Sequence, residues 1–107
     1  IMSNNRFIEH WVDPAGQPAG GVACGRGYTV SWQNGPRGRS KDRRDPNGAS
    51  VEELIETVAD RLRFLQAGPM ACNENAEAII ALNTALGALE RRTRDREQRA
   101  VEGTYSP

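Results

Sequence analysis

Residues 51–69 read VEELIETVADRLRFLQAGP, and this stretch decides the fold. Its apolar side chains recur at the spacing of an amphipathic helix and form one stripe, made by Val51, Leu54, Ile55, Val58, Leu62 and Leu65. Ser50 stands where a capping residue is expected, and Gly68-Pro69 ends the helix near Gln66. The pattern therefore predicts a helix of about four turns that buries one side.

A second, longer helix is predicted from Ala71 to Arg99. Its apolar stripe is made by Ile79, Leu82, Leu86 and Leu89, and Gly103 follows its end. Because only a few residues separate the two helices, they are expected to form an antiparallel helical hairpin.

The first half of the chain favours strands. Phe7–Val12 is a short β-prone run, and the Gly- and Pro-rich segment 13–21 is typical of a turn. In Tyr28–Gln33, Tyr28, Val30 and Trp32 alternate with polar residues, as in a half-buried strand. We predict an antiparallel β-hairpin from these two runs. The fold class is α+β in a single domain, with a β-rich part and linker over 1–46 and the helical hairpin and tail over 47–107.

Length and composition narrow the classes of function that the chain can have. A chain of 107 residues with a formal net charge of zero is unlike a general DNA- or RNA-binding domain, and no apolar run is long enough to span a membrane. Such a small chain often needs self-association to complete its core. Cys24, Cys72 and the single His10 do not form a metal-binding pattern, so we expect ordinary thiols, no metal and no cofactor.

Residues 34–48 form a polar connection with five cations. We expect it to be mobile and exposed, either as a solvated linker or as a loop that contacts phosphate, with Arg39 as the cation to test.

Arg92, Arg96 and Arg99 share one helix face, and a guanidinium group can pair with two phosphate oxygens at once. Asp95 and Glu97 are not expected to neutralise that face. The alternative interpretation is a solvated helix end in which arginine favours the helix dipole. The tail after the helix, Val101–Tyr105, carries Gly103 and Thr104, which could admit a ligand or a neighbouring chain.

Four motifs together resemble the phage Thoeris anti-defence sponge family, which is related to the anti-CBASS sponges. The resemblance covers about residues 25–104, and its motifs are GYTVSWQNGP (27–36), NGA (47–49), AC-x-ENA (71–76) and RT-x-DR-x-x-R-x-VEGT (92–104). It implies a protein that binds a cyclised ADP-ribose isomer and sequesters it without cleaving it, in the cytoplasm of the infected bacterial host. In some members a second site takes cyclic di- or trinucleotides.

The same resemblance implies roles for individual residues. Asn75 would be a polar contact of the ligand, and Arg92 and Arg96 would bind its phosphates. Leu65 stands where relatives carry an aromatic residue that stacks on adenine, so stacking could pass to Phe64, Trp32 or Tyr28. For the second site, the resemblance implies Arg39, Gly103 and Thr104.

Helix geometry adds that one chain cannot close such a pocket. Asn75 and Arg92 are 17 residues apart on one helix, which is roughly 25 Å at ~1.5 Å per residue. We therefore expect a symmetric dimer with two pockets between chains, and a trimer of dimers, a hexamer, if the tail adds a second interface.

Two other functions stay open. A nucleotide-cleaving enzyme would need a base or nucleophile near the phosphates, and the sequence has no such set of residues. A purely structural helical-hairpin oligomer would leave the arginines as solvated surface.

Overall fold

The structure is a computed structural model that describes residues 6–107. Its N-terminal part is a three-stranded antiparallel sheet. Its strands are β1 (Phe7–Val12), β2 (Pro18–Cys24) and β3 (Thr29–Trp32), in the order β1-β2-β3. The predicted alternation holds within β3, because Val30 and Trp32 are half-buried whereas Thr29 and Ser31 are exposed. It is wrong at the two ends of the predicted run, since Tyr28 is exposed and Gln33 is half-buried. Tyr28 lies just before this strand.

Strand β2 corrects the sequence prediction in two ways. The segment 13–21 is not all turn, since β2 begins at Pro18, and β1 pairs with β2 rather than with β3. Gly20 and Gly21 made the segment look like a turn, but both adopt positive φ within the strand, where the β1–β2 register shifts. A Cβ at Gly21 would overlap the backbone of Glu9, so the strand pair needs glycine there.

The connection 34–48 is held by specific hydrogen bonds, contrary to the expectation of a mobile linker. The Asn47 side chain accepts from the Asn34 N–H (2.8 Å) and donates to the Asn34 carbonyl (3.0 Å), while the Asn47 N–H donates to Gln33 Oε1 (3.0 Å). A Cβ at Gly48 would overlap the Trp32 carbonyl. Two of the motifs noted in the sequence therefore meet here and shape the backbone, and a short 3-10 helix, Ser40–Asp42, lies between them.

Two helices follow, α1 (Val51–Gln66) and α2 (Asn73–Gln98), which pack as the predicted pair. The chain divides into two compact units: the helices form one, Val51–Ala100, and the sheet forms the other together with the tail Val101–Pro107. The tail is thus grouped with the sheet, whereas the sequence suggested grouping it with the helices.

Little of the described chain is deeply buried. Ala59 is the only fully buried hydrophobic side chain among residues 6–107. On α1, Val51 and Val58 are each about half exposed although both belong to the predicted apolar stripe. No helix in the described part of the chain is long and apolar enough to cross a membrane.

Candidate ligand-binding sites

The predicted phosphate-binding arginines lie near the C-terminal end of α2. Arg92 is exposed and Arg96 is half-buried. Arg99 follows the last helical residue, and its Nε donates to Asp95 Oδ2 at 3.0 Å. Asp95 therefore does neutralise one arginine of this group, contrary to the sequence prediction, because the two side chains are four residues apart. Arg92 and Arg96 are the other two guanidinium groups of the predicted phosphate site.

Asn75 lies at the opposite end of the same helix. It is half-buried in the first turn of α2, and its Nδ2 donates to the Met70 carbonyl at 3.1 Å. This bond turns the amide toward the connection between the helices and leaves its Oδ1 as an acceptor with no hydrogen bond among residues 6–107. A ligand at this end would meet a fixed amide acceptor.

Leu65 and Phe64 lie on different sides of α1. Leu65 is half-buried, whereas the Phe64 side chain is 66% exposed. Phe64 is five residues after the buried Ala59, which puts it roughly 140° around the helix at ~100° per residue. The Arg61 guanidinium lies over the Phe64 ring, 5.1 Å from its centroid. Arg61 was not among the predicted site residues, although its spacing of three residues from Phe64 is the spacing of helical neighbours.

A hydrogen bond joins the two helices near their middle. Arg63 Nη2 on α1 donates to Asn83 Oδ1 on α2 at 3.1 Å. Because the helices are antiparallel, Arg92, which follows Asn83 on α2, lies toward the start of α1. Asn75 lies beyond the other end of α1. Since α2 is one continuous helix, Asn75 and Arg92 are roughly 25 Å apart at ~1.5 Å per residue, and the two sets are separated within one chain.

Trp32 belongs to the sheet unit and is half-buried there. Its backbone forms a parallel bridge with Ala49, supported by Gln33 N–H to the Ala49 carbonyl (3.0 Å). Its indole Nε1 is buried without a hydrogen-bond partner in the part of the chain that the structure describes. Whether Trp32 stacks on a base stays a prediction.

The residues predicted for a second site are brought together in the sheet unit. The Gly38 N–H donates to the Gly103 carbonyl at 2.9 Å, which places the loop residue Arg39 beside Gly103 and Thr104. Arg39 is exposed, whereas Thr104 is half-buried with its hydroxyl bonded to the Val101 carbonyl. Gly103 has φ +83°, and a Cβ there would overlap the Gly38 carbonyl. Gly103 is therefore needed for this close packing whatever it does for a ligand.

Neither site contains a cluster suited to metal chemistry. Among residues 6–107, no group of three or more His, Cys, Asp and Glu side chains could hold a metal ion. The groups gathered here are guanidinium, amide, hydroxyl and apolar side chains, which can bind an anion and cover a base.

Comparison with known proteins agrees with this picture of a helical hairpin. The family model described as Acb2/Tad1, hairpin domain, matches residues 29–94, which include Asn75 and Arg92 and end before Arg96. A protein named Thoeris anti-defense 1, from Bacillus phage SBSphiJ7, is 43% identical over 82 residues, 77% of this chain and 55% of the relative. The chain thus spans about half the length of this relative. Because the family model matches more than half of the chain, the chain belongs to the Acb2/Tad1 hairpin-domain family.

Proposed function

We propose that the chain is a phage anti-defence sponge that captures a cyclised ADP-ribose isomer inside the infected cell and holds it without cleaving it. The pocket lies between two copies, where the Asn75 end of one helical hairpin meets the Arg92 and Arg96 end of the other. The observation that carries this proposal is the roughly 25 Å separation of these residues on one continuous helix.

The exposed side of α1 supports a second copy as the missing partner. Val51, Leu54, Val58 and Leu65 follow a heptad-like spacing, with Arg61 between them, and they lie about 80–140° around the helix from the buried Ala59. The α1 helix therefore has one apolar side for α2 and another that is only partly covered in one chain. If two copies packed against each other on this side, the partly covered stripe of each copy would be covered by the other.

Antiparallel packing of the two copies about Val58 would bring the Asn75 end of one toward the arginine end of the other. In that arrangement Val51 of one copy lies level with Leu65 of the other, and Leu54 with Leu62. Since Arg92 and Arg96 lie toward the start of α1 in their own chain, they would come toward the Leu65 end of α1 in the second copy. Asn75 of that copy lies beyond the same end of its α1, so the two arginines of one chain and Asn75 of the other would be brought together. Two such pockets follow from the twofold symmetry.

Each part of the pocket has a chemical task. Arg92 and Arg96 pair with the diphosphate, Asn75 bonds a polar group of the ligand, and Leu65 covers the base. Loss of either arginine from a desolvated pocket is expected to weaken binding by about 2 to 5 kcal/mol. Enclosure between chains slows release, which is what a sequestering protein needs.

A second candidate function is binding of a cyclic di- or trinucleotide at the Arg39, Gly103 and Thr104 site. The Gly38–Gly103 hydrogen bond favours it, because this bond joins residues that are far apart in sequence into one cationic surface. How the dimers would be arranged around that surface, including a trimer of dimers, is part of the same proposal.

Calorimetric titration with a cyclic ADP-ribose isomer, followed by heat denaturation and mass analysis of the released compound, tests the main function. The sponge retains the ligand and returns it intact at one molecule per chain. An enzyme would return a cleaved product, and a structural oligomer would give no binding heat. Either of those results would overturn the proposal.

A further inference from the structure

The tail is tied to the sheet unit by its tyrosine. Tyr105 Oη donates to the carbonyl of Pro18, the first residue of β2, at 2.9 Å. The two residues are 87 positions apart in sequence. The phenol oxygen also lies near Gly35, at the start of the cationic loop 34–48. A Cβ on that glycine would be 3.7 Å from the phenol oxygen. Tyr105 therefore fixes the tail against both the sheet and the loop.

Gly38, in the same loop, is held by two hydrogen bonds. Its N–H donates to the Gly103 carbonyl at 2.9 Å, and its own carbonyl accepts from Arg43 Nη1 at 3.1 Å. Gly38 has φ +87°, and a Cβ there would come within 2.7 Å of the Asp42 carbonyl. The loop thus has one backbone geometry that fits the tail.

The cations of this loop divide into two groups. Arg37, Arg43 and Arg44 donate to backbone carbonyls of the loop itself. The side chains of Arg39 and Lys41 are exposed and form no hydrogen bond or ion pair with any of residues 6–107. Three cations therefore build the loop, which leaves Arg39 and Lys41 as the two that can meet an anion.

We propose that Tyr105 is a positioning residue of the second site: its bond to Pro18 holds the tail in place, so that Gly103 pairs with Gly38 and Arg39 stays beside Thr104. This inference rests on the second function proposed above. The part of the site that each chain carries is then formed before a ligand arrives, and less ordering is left to occur on binding. Tyr105 itself need not touch the ligand.

The test compares the two tyrosines of the chain. Tyr105→Phe removes only the hydroxyl that binds Pro18. Tyr28→Phe removes the hydroxyl of a similarly exposed tyrosine that forms no side-chain hydrogen bond with residues 6–107. Amide hydrogen exchange at Gly38, measured without ligand, reports the Gly38–Gly103 bond directly. A hydrogen bond contributes about 0.5–1.5 kcal/mol, so we expect exchange to become roughly 2- to 10-fold faster in Tyr105→Phe and unchanged in Tyr28→Phe.

Affinity for a cyclic trinucleotide should fall by a similar factor in Tyr105→Phe, whereas affinity for the cyclic ADP-ribose isomer should stay within twofold. Unchanged Gly38 exchange would overturn the inference. Faster exchange with full trinucleotide affinity would show that the anchor exists but does not position Arg39, which also overturns it. If the unaltered chain binds no cyclic oligonucleotide, the second function fails and the positioning role fails with it, while the exchange data still show whether the anchor holds the loop.

Discussion

Gln66 and Cys72 are joined by two hydrogen bonds across the connection between the helices. Gln66 Nε2 donates to the Cys72 carbonyl at 2.9 Å, and Gln66 Oε1 accepts from the Cys72 N–H at 3.0 Å. One side chain thus satisfies both backbone groups of the residue just before α2. This closes the hairpin where Gly68 and Pro69 cannot continue a helix.

Gln66→Ala should therefore destabilise the chain. The Cys72 N–H loses its partner and the Cys72 carbonyl keeps only the Ala76 N–H at 3.3 Å, so we expect the free energy of unfolding to fall by about 1–3 kcal/mol. Chemical denaturation at one fixed protein concentration measures it, since association also contributes to stability. Gln98→Ala, at the exposed end of α2, is the matched control and should change little. Equal stability of the two variants would contradict the closing role of Gln66.

Val58→Glu should prevent two copies from associating. Val58 is 52% exposed at the centre of the second apolar stripe of α1, and the symmetric pair would bring two glutamates together. Sedimentation velocity should show loss of the dimer, and binding of the cyclic ADP-ribose isomer should be lost with it. Ile80→Glu alters a similarly exposed side chain on α2 and should leave the dimer intact. Dissociation by Ile80→Glu alone would place the interface elsewhere.

Leu65→Phe should strengthen binding of the cyclic ADP-ribose isomer. An aromatic ring at this half-buried position can stack on the base, and a stacked aromatic pair adds about 0.5–1.5 kcal/mol, which is roughly a 2- to 10-fold gain. Leu65→Ala should weaken binding instead. Phe64→Leu provides the comparison, because Phe64 projects from another side of α1. If Phe64→Leu lowers affinity and Leu65→Phe does not raise it, Phe64 is the stacking residue.

Arg96→Lys should weaken binding although it preserves the charge. A lysine ammonium cannot reproduce the planar two-point contact of a guanidinium with phosphate, and we expect about a 10-fold loss. Arg94→Lys makes the same replacement on an exposed side of the same turn and should bind normally. Calorimetric titration compares them. Equal affinities would mean that Arg96 acts only as a diffuse positive charge.

The helices were predictable from sequence because hydrophobic periodicity is a local signal. Gly68-Pro69 gave the end of α1, and the predicted start and end of α2 differ from the structure by one or two residues. Strand β2 was missed because its glycines serve the close approach of Glu9, a contact between residues 12 positions apart that no local pattern reveals. The order of the 34–48 connection was missed for a similar reason, since Asn47 acts on the backbone of Asn34.

The candidate sites were predictable in their residue types but not in their surroundings. The arginines on α2 stood out by spacing, yet the pairing of Arg99 with Asp95 and the contact of Arg61 with Phe64 depend on which rotamers the side chains adopt. The position of Arg39 beside Gly103 follows from a backbone hydrogen bond between residues 65 positions apart. Such contacts form only in the folded chain, so no local sequence pattern predicts them.

The most direct test of a pocket shared between two copies is complementation. An Asn75→Ala chain and an Arg92→Ala/Arg96→Ala chain are each titrated with a cyclic ADP-ribose isomer, and then mixed under conditions that allow subunit exchange. Both pockets of the Asn75→Ala homodimer lack the amide, and both pockets of the other homodimer lack the two guanidinium groups. Each homodimer should therefore bind poorly. In the mixed dimer one pocket has all its residues, so high-affinity binding should return at one ligand per dimer. No recovery in a mixture that native mass spectrometry shows to contain the mixed dimer would contradict the shared pocket.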